Sequence, residues 1–215
     1  GERRVIDMSD HISREDALAL VKAHNKEPFH IQHALTVEGV MKWFAQELGY
    51  GDDAEYWGIV GLLHDIDFEE YPEEHCIKAP EILREAGVGE DIIQPLWSRM
   101  VSLPSVSTSM GPETATTAPV CTASALAEAT VRGRVFSVIW SASLMRPSGS
   151  VQDMEVKSVK KKYKSANFAA GCSREVIERG ADMLGWELSD LIQKTILAMR
   201  SCEAEIAEAM AEEAK

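Results

Sequence analysis

Apolar residues recur three and four positions apart along most of this chain, as they do on one face of an amphipathic helix. Residue types that begin or end helices flank these stretches. They are Ser13, Asp52, Ser173 and Ser189 at the predicted starts, and Gly49 and Gly87 at the predicted ends. The pattern predicts helices over about 13–23, 31–48, 52–64, 73–86, 89–97, 173–184 and 189–210, and therefore an all-α fold.

The segment 95–143 departs from this pattern. It is rich in Ser, Thr, Ala and Pro, and it contains no His, Asp or Lys. Its part 103–122 has no clear helical period, which predicts a loop or a disordered linker. The ordinary pattern resumes near Leu144, so we treat 95–143 as an atypical or disrupted part of a single domain spanning 1–215.

Composition restricts the class of protein. A chain of 215 residues that is 45% apolar and 27% charged is typical of one soluble domain with a core of its own. It has no apolar run near the ~20 residues that span a bilayer and no signal-peptide pattern. Its four cysteines are scattered, which favours a reducing cytoplasm. The net charge of −13 argues against binding to nucleic-acid polymers but leaves a small phosphorylated substrate open.

The strongest chemical signal is a His-Asp pair at the end of an apolar helix. His64 and Asp65 follow the stretch 54–63, and His33 stands at the start of the preceding predicted helix. Imidazole and carboxylate together are ligands for zinc, iron, manganese and related divalent ions. Two helices could therefore bring three ligands to one metal ion and leave coordination positions open for water and substrate.

These residues resemble the HD-domain metal-dependent phosphohydrolases. The resemblance rests on His33, on His64-Asp65 and on the continuation IDFEEYP over 66–72, and it extends over about 13–94 and 144–202. It implies an HD-domain-like helical bundle that binds a divalent ion (Mn, Mg, Fe, Co, Ni or Zn). In that family a His, the His-Asp pair and a later Asp hold the metal. Here the later Asp is missing, and Glu113 or Glu128 is a candidate replacement.

Further residues are assigned roles by position. Asp67 and Glu69 follow the metal pair and are candidates for a general base or for a partner that orients a ligand; turn capping is the alternative. His75 matches a His near the mouth of the site in similar proteins and is a candidate for binding a substrate phosphate or a second metal ion. Arg146 and Lys161 are candidates for binding a phosphate, with a helix-end residue and a solvated charged face as the respective alternatives.

The resemblance implies hydrolysis of a nucleotide or another small phosphate ester. The missing Asp favours an alternative, a catalytically degenerate HD fold that acts as a binding or regulatory module. Natural divergence, an inserted loop or a shifted reading frame could each explain 95–143, and a sequence-level disruption such as the shifted frame is favoured because the resemblance stops and restarts sharply. The apolar stripe within 189–210 indicates core packing or a homo-oligomer contact, and 203–215 is predicted to be a frayed helical tail.

Overall fold

The computed structural model describes residues 12–75, 77–97, 126, 129–130 and 133–215. Within these ranges the regular structure is helical and contains no strand, which confirms the predicted all-α class. The described α-helices are α1 (Arg14–His24), α2 (Pro28–Glu47), α3 (Ala54–Leu63), α4 (Ala79–Glu85), α5 (Glu90–Trp97), α6 (Val135–Leu144), α7 (Val156–Tyr163), α8 (Arg174–Leu184) and α9 (Leu188–Glu213). None of them combines the length and apolarity needed to cross a membrane.

Two of the predicted serine caps are confirmed. The Ser13 hydroxyl accepts a hydrogen bond from the backbone N–H of Asp16 at 3.1 Å, and α8 starts in the same way behind Ser173. The predicted cap at Ser189 is wrong, because α9 already begins at Leu188. The Ser189 hydroxyl instead accepts a hydrogen bond from the Lys160 ammonium at 2.9 Å, which ties α9 to α7.

The helix predicted over 73–86 begins later than expected. A short 3₁₀ turn at Pro72–Glu74 comes first, and α4 starts only at Ala79. The buried carboxylate of Asp67 explains the delay, since it accepts a hydrogen bond from the Ala79 N–H at 2.9 Å and contacts His75 Nδ1 at 2.8 Å. These two contacts hold the intervening chain in a turn instead of a continuous helix.

Helices α6 and α7 were not predicted from the sequence. Val135, Phe136, Val138 and Ile139 of α6 are fully buried, so this part of the atypical segment is packed as core. In α7, Val159 and Tyr163 face the interior at helical spacing, while Lys161 between them is exposed. The loop predicted over 103–122 lies outside the described residues, as do Glu113 and Glu128.

Helix α2 lies at the centre of the bundle and packs most closely against α3, then against α9. The approach of α2 to α3 depends on Gly61, where a Cβ would stand only 2.9 Å from the carbonyl oxygen of Val37. All but one of the residues of α3 are buried, which fixes the helix within the core. This packing places the end of α3 beside the second turn of α2, where His33 lies.

Replacing Gly61 with alanine is expected to lower the free energy of unfolding by about 1–3 kcal/mol, because overpacking a helix contact forces the backbones apart. The added methyl group would press on the Val37 carbonyl, which cannot rotate away as a side chain could. Gly51→Ala is the matched control, since a Cβ added there would have nothing within 4 Å. Urea unfolding of both variants measures the difference, and equal stabilities would contradict this account of the helix contact.

The predicted frayed tail continues α9 without a break to Glu213. Ile206 is buried, and the Glu203 carboxylate accepts hydrogen bonds from the Ser150 hydroxyl at 2.8 Å and from the Val151 N–H at 3.0 Å. Near the end of the helix, Glu213 forms an ion pair with Lys22 of α1. Burial of Ile206 and contacts with two different parts of the chain therefore hold this segment in place.

Cys172 and Cys202 are free thiols that lie in the core. Burial raises the pKa of both, that of Cys202 to about 11. Thiolate is the reactive form of cysteine, so both residues are inert packing groups at neutral pH. Cys76 and Cys121 lie outside the described residues.

Candidate metal centre

The structure brings the three predicted metal ligands together. His33 lies in the second turn of α2, and His64 and Asp65 directly follow α3. Their ligand atoms form a nearly equilateral triangle, with His33 Nε2 to His64 Nε2 at 3.0 Å, His33 Nε2 to Asp65 Oδ2 at 3.0 Å and His64 Nε2 to Asp65 Oδ2 at 3.1 Å. These three residues form a group that could hold a metal ion.

The protonation of His64 supports a cation at the centre of this triangle. Its Nδ1 lies 2.5 Å from the carbonyl oxygen of Gly61, which can only accept a hydrogen bond, so Nδ1 carries the proton. In the neutral ring Nε2 therefore has a free lone pair, which is directed at the Asp65 carboxylate. Two atoms with lone pairs this close repel each other unless a proton or a metal ion lies between them. The backbone of α3 thus sets the tautomer that metal binding requires.

Burial and charge act in opposite directions on this group. Burial lowers the pKa of His33, which favours the neutral form that can bind a metal. Burial alone would raise the pKa of Asp65, but the neighbouring imidazoles of His64, His33 and His75 hold it well below its usual value. The site therefore offers an ionised carboxylate next to a neutral imidazole.

His75 also reaches the site, as the resemblance implied. Its Nε2 lies 3.1 Å from Asp65 Oδ1, and its Nδ1 lies 2.8 Å from Asp67 Oδ1. Asp67 has no exposed surface, and its second oxygen accepts the Ala79 N–H. Both oxygens of Asp67 are therefore engaged, one in orienting a neighbouring imidazole and the other in the turn before α4, which is the alternative given above. A part as general base stays a prediction.

Arg134 is a site residue that no sequence pattern indicated. One terminal nitrogen of its guanidinium lies 3.4 Å from His75 Nε2 and 3.7 Å from Asp65 Oδ2. The group also lies over the ring of Phe68, at 5.4 Å from the centroid. Arg134 stands in the atypical segment 95–143, and only the packing of α6 brings it to the site.

Glu69 occupies a different place from the one its predicted catalytic role requires. Its carboxylate accepts hydrogen bonds from the backbone N–H groups of Lys26 and Glu27 and lies 2.8 Å from His30 Nδ1. These contacts hold the start of α2 and lower the pKa of Glu69. The structure thus places Glu69 as a helix-capping group, and a part in catalysis stays a prediction.

Two predicted phosphate-binding residues are not brought to the triad. Arg146 lies beyond the far end of α6 from Arg134 and forms an ion pair with Asp153 at 3.1 Å. Lys161 is exposed on α7, within a shallow basic surface formed with Lys157 and Lys164. For both residues the structure matches the alternatives given above, a helix-end residue and a solvated charged face.

A small cavity with a volume of about 110 Å³ opens beside the triad. Its walls are mostly apolar and include Phe29, Leu62, Ile66 and Phe68. The polar side chains that line it are those of Asn25, His30, His33, Asp65, Arg134 and Ser137. A ligand in this cavity would have a charged part near the triad and an apolar part against the phenylalanines.

Comparison with family models, with curated proteins and with solved structures finds no match for this chain. The assignment to the HD-domain family therefore stays a prediction from the residues quoted above.

Proposed function

We propose that this chain is an HD-type, metal-dependent phosphohydrolase acting on a nucleotide or another small phosphate ester. The observation that carries the proposal is the convergence of His33, His64 and Asp65, whose ligand atoms lie 3.0–3.1 Å apart. A shared ion is the simplest reason for a protein to hold a half-buried carboxylate against two imidazoles, one of which directs a lone pair at it.

His33, His64 and Asp65 would hold the ion and would leave its other coordination positions to water and substrate. Imidazole nitrogens together with a carboxylate oxygen would suit manganese and zinc. The donor set of two imidazoles and one carboxylate also suits iron, cobalt and nickel.

A divalent ion supplies Lewis-acid polarisation of a phosphoryl oxygen and lowers the pKa of water. The chain's own residues do the remaining work. His75, oriented through Nδ1 by the buried Asp67, presents Nε2 beside Asp65. When both of its ring nitrogens are protonated, Nε2 can donate a hydrogen bond to a phosphoryl oxygen or transfer its proton to the leaving oxygen. The apolar cavity excludes bulk water from one side of the site, which strengthens each of these interactions.

Metal analysis and a hydrolysis assay test the proposal together. After a divalent metal is added back to the purified protein, it is expected to hold about one transition-metal or magnesium ion per chain. It is also expected to release phosphate from phosphomonoesters such as p-nitrophenyl phosphate. The double variant His64→Ala, Asp65→Ala should lose both properties, because it removes two of the three ligands.

The matched control is His24→Ala, Glu70→Ala. It removes a histidine and a carboxylate whose side chains lie 3.0 Å apart in a partly exposed pair near the protein surface. This control should retain metal and activity. Wild-type protein that binds no divalent ion, or a double ligand variant that keeps full activity, would contradict the proposal.

A degenerate HD fold that acts as a binding or regulatory module is the second candidate. One observation favours it, since the guanidinium of Arg134 already lies 3.7 Å from Asp65 Oδ2 and can partly neutralise the carboxylate without a metal. The two candidates differ in metal affinity. A degenerate module should stay metal-free at micromolar Mn²⁺, and its stability should not respond to the ion.

A further inference from the structure

Arg134 is held at the candidate site at a cost to the backbone. Arg134 directly precedes α6. Its backbone has φ 58° and ψ 40°, a left-handed conformation that residues other than glycine rarely adopt. Such a conformation is unfavourable for a residue with a side chain and persists only where surrounding contacts maintain it. Here the contact is the ring of Phe68, over which the guanidinium lies. The cation is therefore positioned by the fold.

The position of this cation is unfavourable for metal binding alone. Its terminal nitrogen lies 3.7 Å from Asp65 Oδ2, the same oxygen that faces His33 and His64. A positive group so near a metal ligand repels a divalent ion, unless an anion binds between the two. Among the described residues, the guanidinium makes two polar contacts, to His75 and to Asp65, and the same terminal nitrogen makes both. Its other N–H groups are therefore available to a ligand.

The cavity indicates what kind of anion can bind. Its volume of about 110 Å³ is below the ~300–1,000 Å³ of typical small-molecule sites, so it encloses only a compact group. Two further polar side chains line the cavity, but Asn25 already donates to the backbone and His30 already contacts Glu69. The wall left to a ligand is therefore mainly Phe29, Leu62 and Phe68, which disfavours a second charge there. A planar fork of N–H donors beside a cation site matches the oxygens of a phosphoryl group.

We propose that Arg134 binds the phosphoryl group of the substrate, and that this substrate is a phosphomonoester whose remaining part is small and apolar. This inference rests on the proposed function, because it assumes that a metal ion occupies the triad. It makes Arg134 the substrate-binding cation in place of Arg146 and Lys161. It also narrows the substrate class from nucleotides and phosphate esters in general to phosphomonoesters with a small, apolar remaining part.

Binding measurements on Arg134→Gln test the first part without turnover. In calorimetry, the Mn²⁺-loaded variant is expected to bind inorganic phosphate about 10- to 100-fold more weakly than wild type, as for lost hydrogen bonds to a charged group. The same variant should bind Mn²⁺ equally well or up to about 10-fold more tightly, because a nearby positive charge is gone. Opposite effects on the two ligands distinguish substrate binding from a structural role, which would weaken both.

Arg134→Lys and Arg146→Gln complete the set. Lysine keeps the charge but lacks the planar fork, so its phosphate affinity should lie between those of wild type and Arg134→Gln. Arg146→Gln removes the same charge at the far end of α6 and should change neither affinity. Unchanged phosphate binding in Arg134→Gln, or a parallel loss of Mn²⁺ binding, would overturn the assignment.

Substrate preference tests the second part. Phenyl phosphate should have a kcat/KM at least about 10-fold above that of a nucleoside monophosphate, because its ring can pack against the apolar wall. A preference for the nucleotide would overturn the substrate class. If wild type hydrolyses neither ester but loses phosphate binding on Arg134→Gln, the proposed hydrolysis fails while the anion-binding role stands. If Arg134→Gln hydrolyses the ester as fast as wild type, the proposed hydrolysis stands and the anion-binding role of Arg134 fails.

Discussion

Replacing Asp65 with asparagine is expected to lower the affinity of the site for Mn²⁺ by about 100-fold or more. Loss of groups that only orient metal ligands already costs about 10- to 100-fold, and Asp65 is itself a candidate ligand. Its oxygen Oδ2 lies 3.0 Å from His33 Nε2 and 3.1 Å from His64 Nε2, so asparagine would keep the shape of the group while removing its charge. Isothermal titration calorimetry with Mn²⁺ measures the difference directly.

Asp153→Asn is the matched control for this prediction. Asp153 is a carboxylate paired with Arg146 at 3.1 Å, and it lies at the far end of α6 from Arg134. The control removes one negative charge from a chain of net charge −13, as the test variant does, so general electrostatic attraction of the cation changes equally. Equal Mn²⁺ affinities in the two variants would mean that Asp65 is not a metal ligand.

The part of the site that sequence predicts is the part fixed by local structure. His64 and Asp65 directly follow an almost wholly apolar helix, and this change from apolar to polar residues places them at the edge of the core. His33 could be added because it stands at the start of a second amphipathic helix. The convergence of the three side chains further required α2 and α3 to pack closely, and the pattern of apolar positions made this packing a reasonable expectation.

The rest of the site depends on contacts between distant parts of the chain. Nothing around Arg134 in the sequence indicates that its guanidinium lies over Phe68 and beside His75, because α6 must first pack against the bundle. For Glu69 and Asp67, closeness in sequence to the metal pair was likewise an incomplete guide to the contacts of their carboxylates. Both acids follow the metal pair closely, yet one caps the start of α2 and the other is completely buried. Sequence position gave their neighbourhood but could not give the partners of their carboxylates.

Asp67→Asn is expected to lower the free energy of unfolding by about 2–4 kcal/mol, as for removal of one partner from a buried hydrogen-bonded charge. Asp67 has no exposed surface, and its two oxygens face His75 Nδ1 at 2.8 Å and the Ala79 N–H at 2.9 Å. Asparagine has only one acceptor oxygen. If that oxygen keeps the bond to Ala79, the new amide N–H₂ faces His75 Nδ1 and requires it to give up its proton.

The change at Asp67 should therefore appear in two measurements. Urea unfolding reports the loss of stability, and ¹⁵N NMR of the imidazoles reports a shift of the His75 proton from Nδ1 to Nε2. Asp182→Asn, at an exposed position on α8, is the control and should change neither. A variant with normal stability but an altered His75 tautomer would limit Asp67 to orienting the imidazole, since the turn before α4 would then hold without its carboxylate. An unchanged tautomer would contradict the orienting role, and His75 would need another explanation for its place beside Asp65.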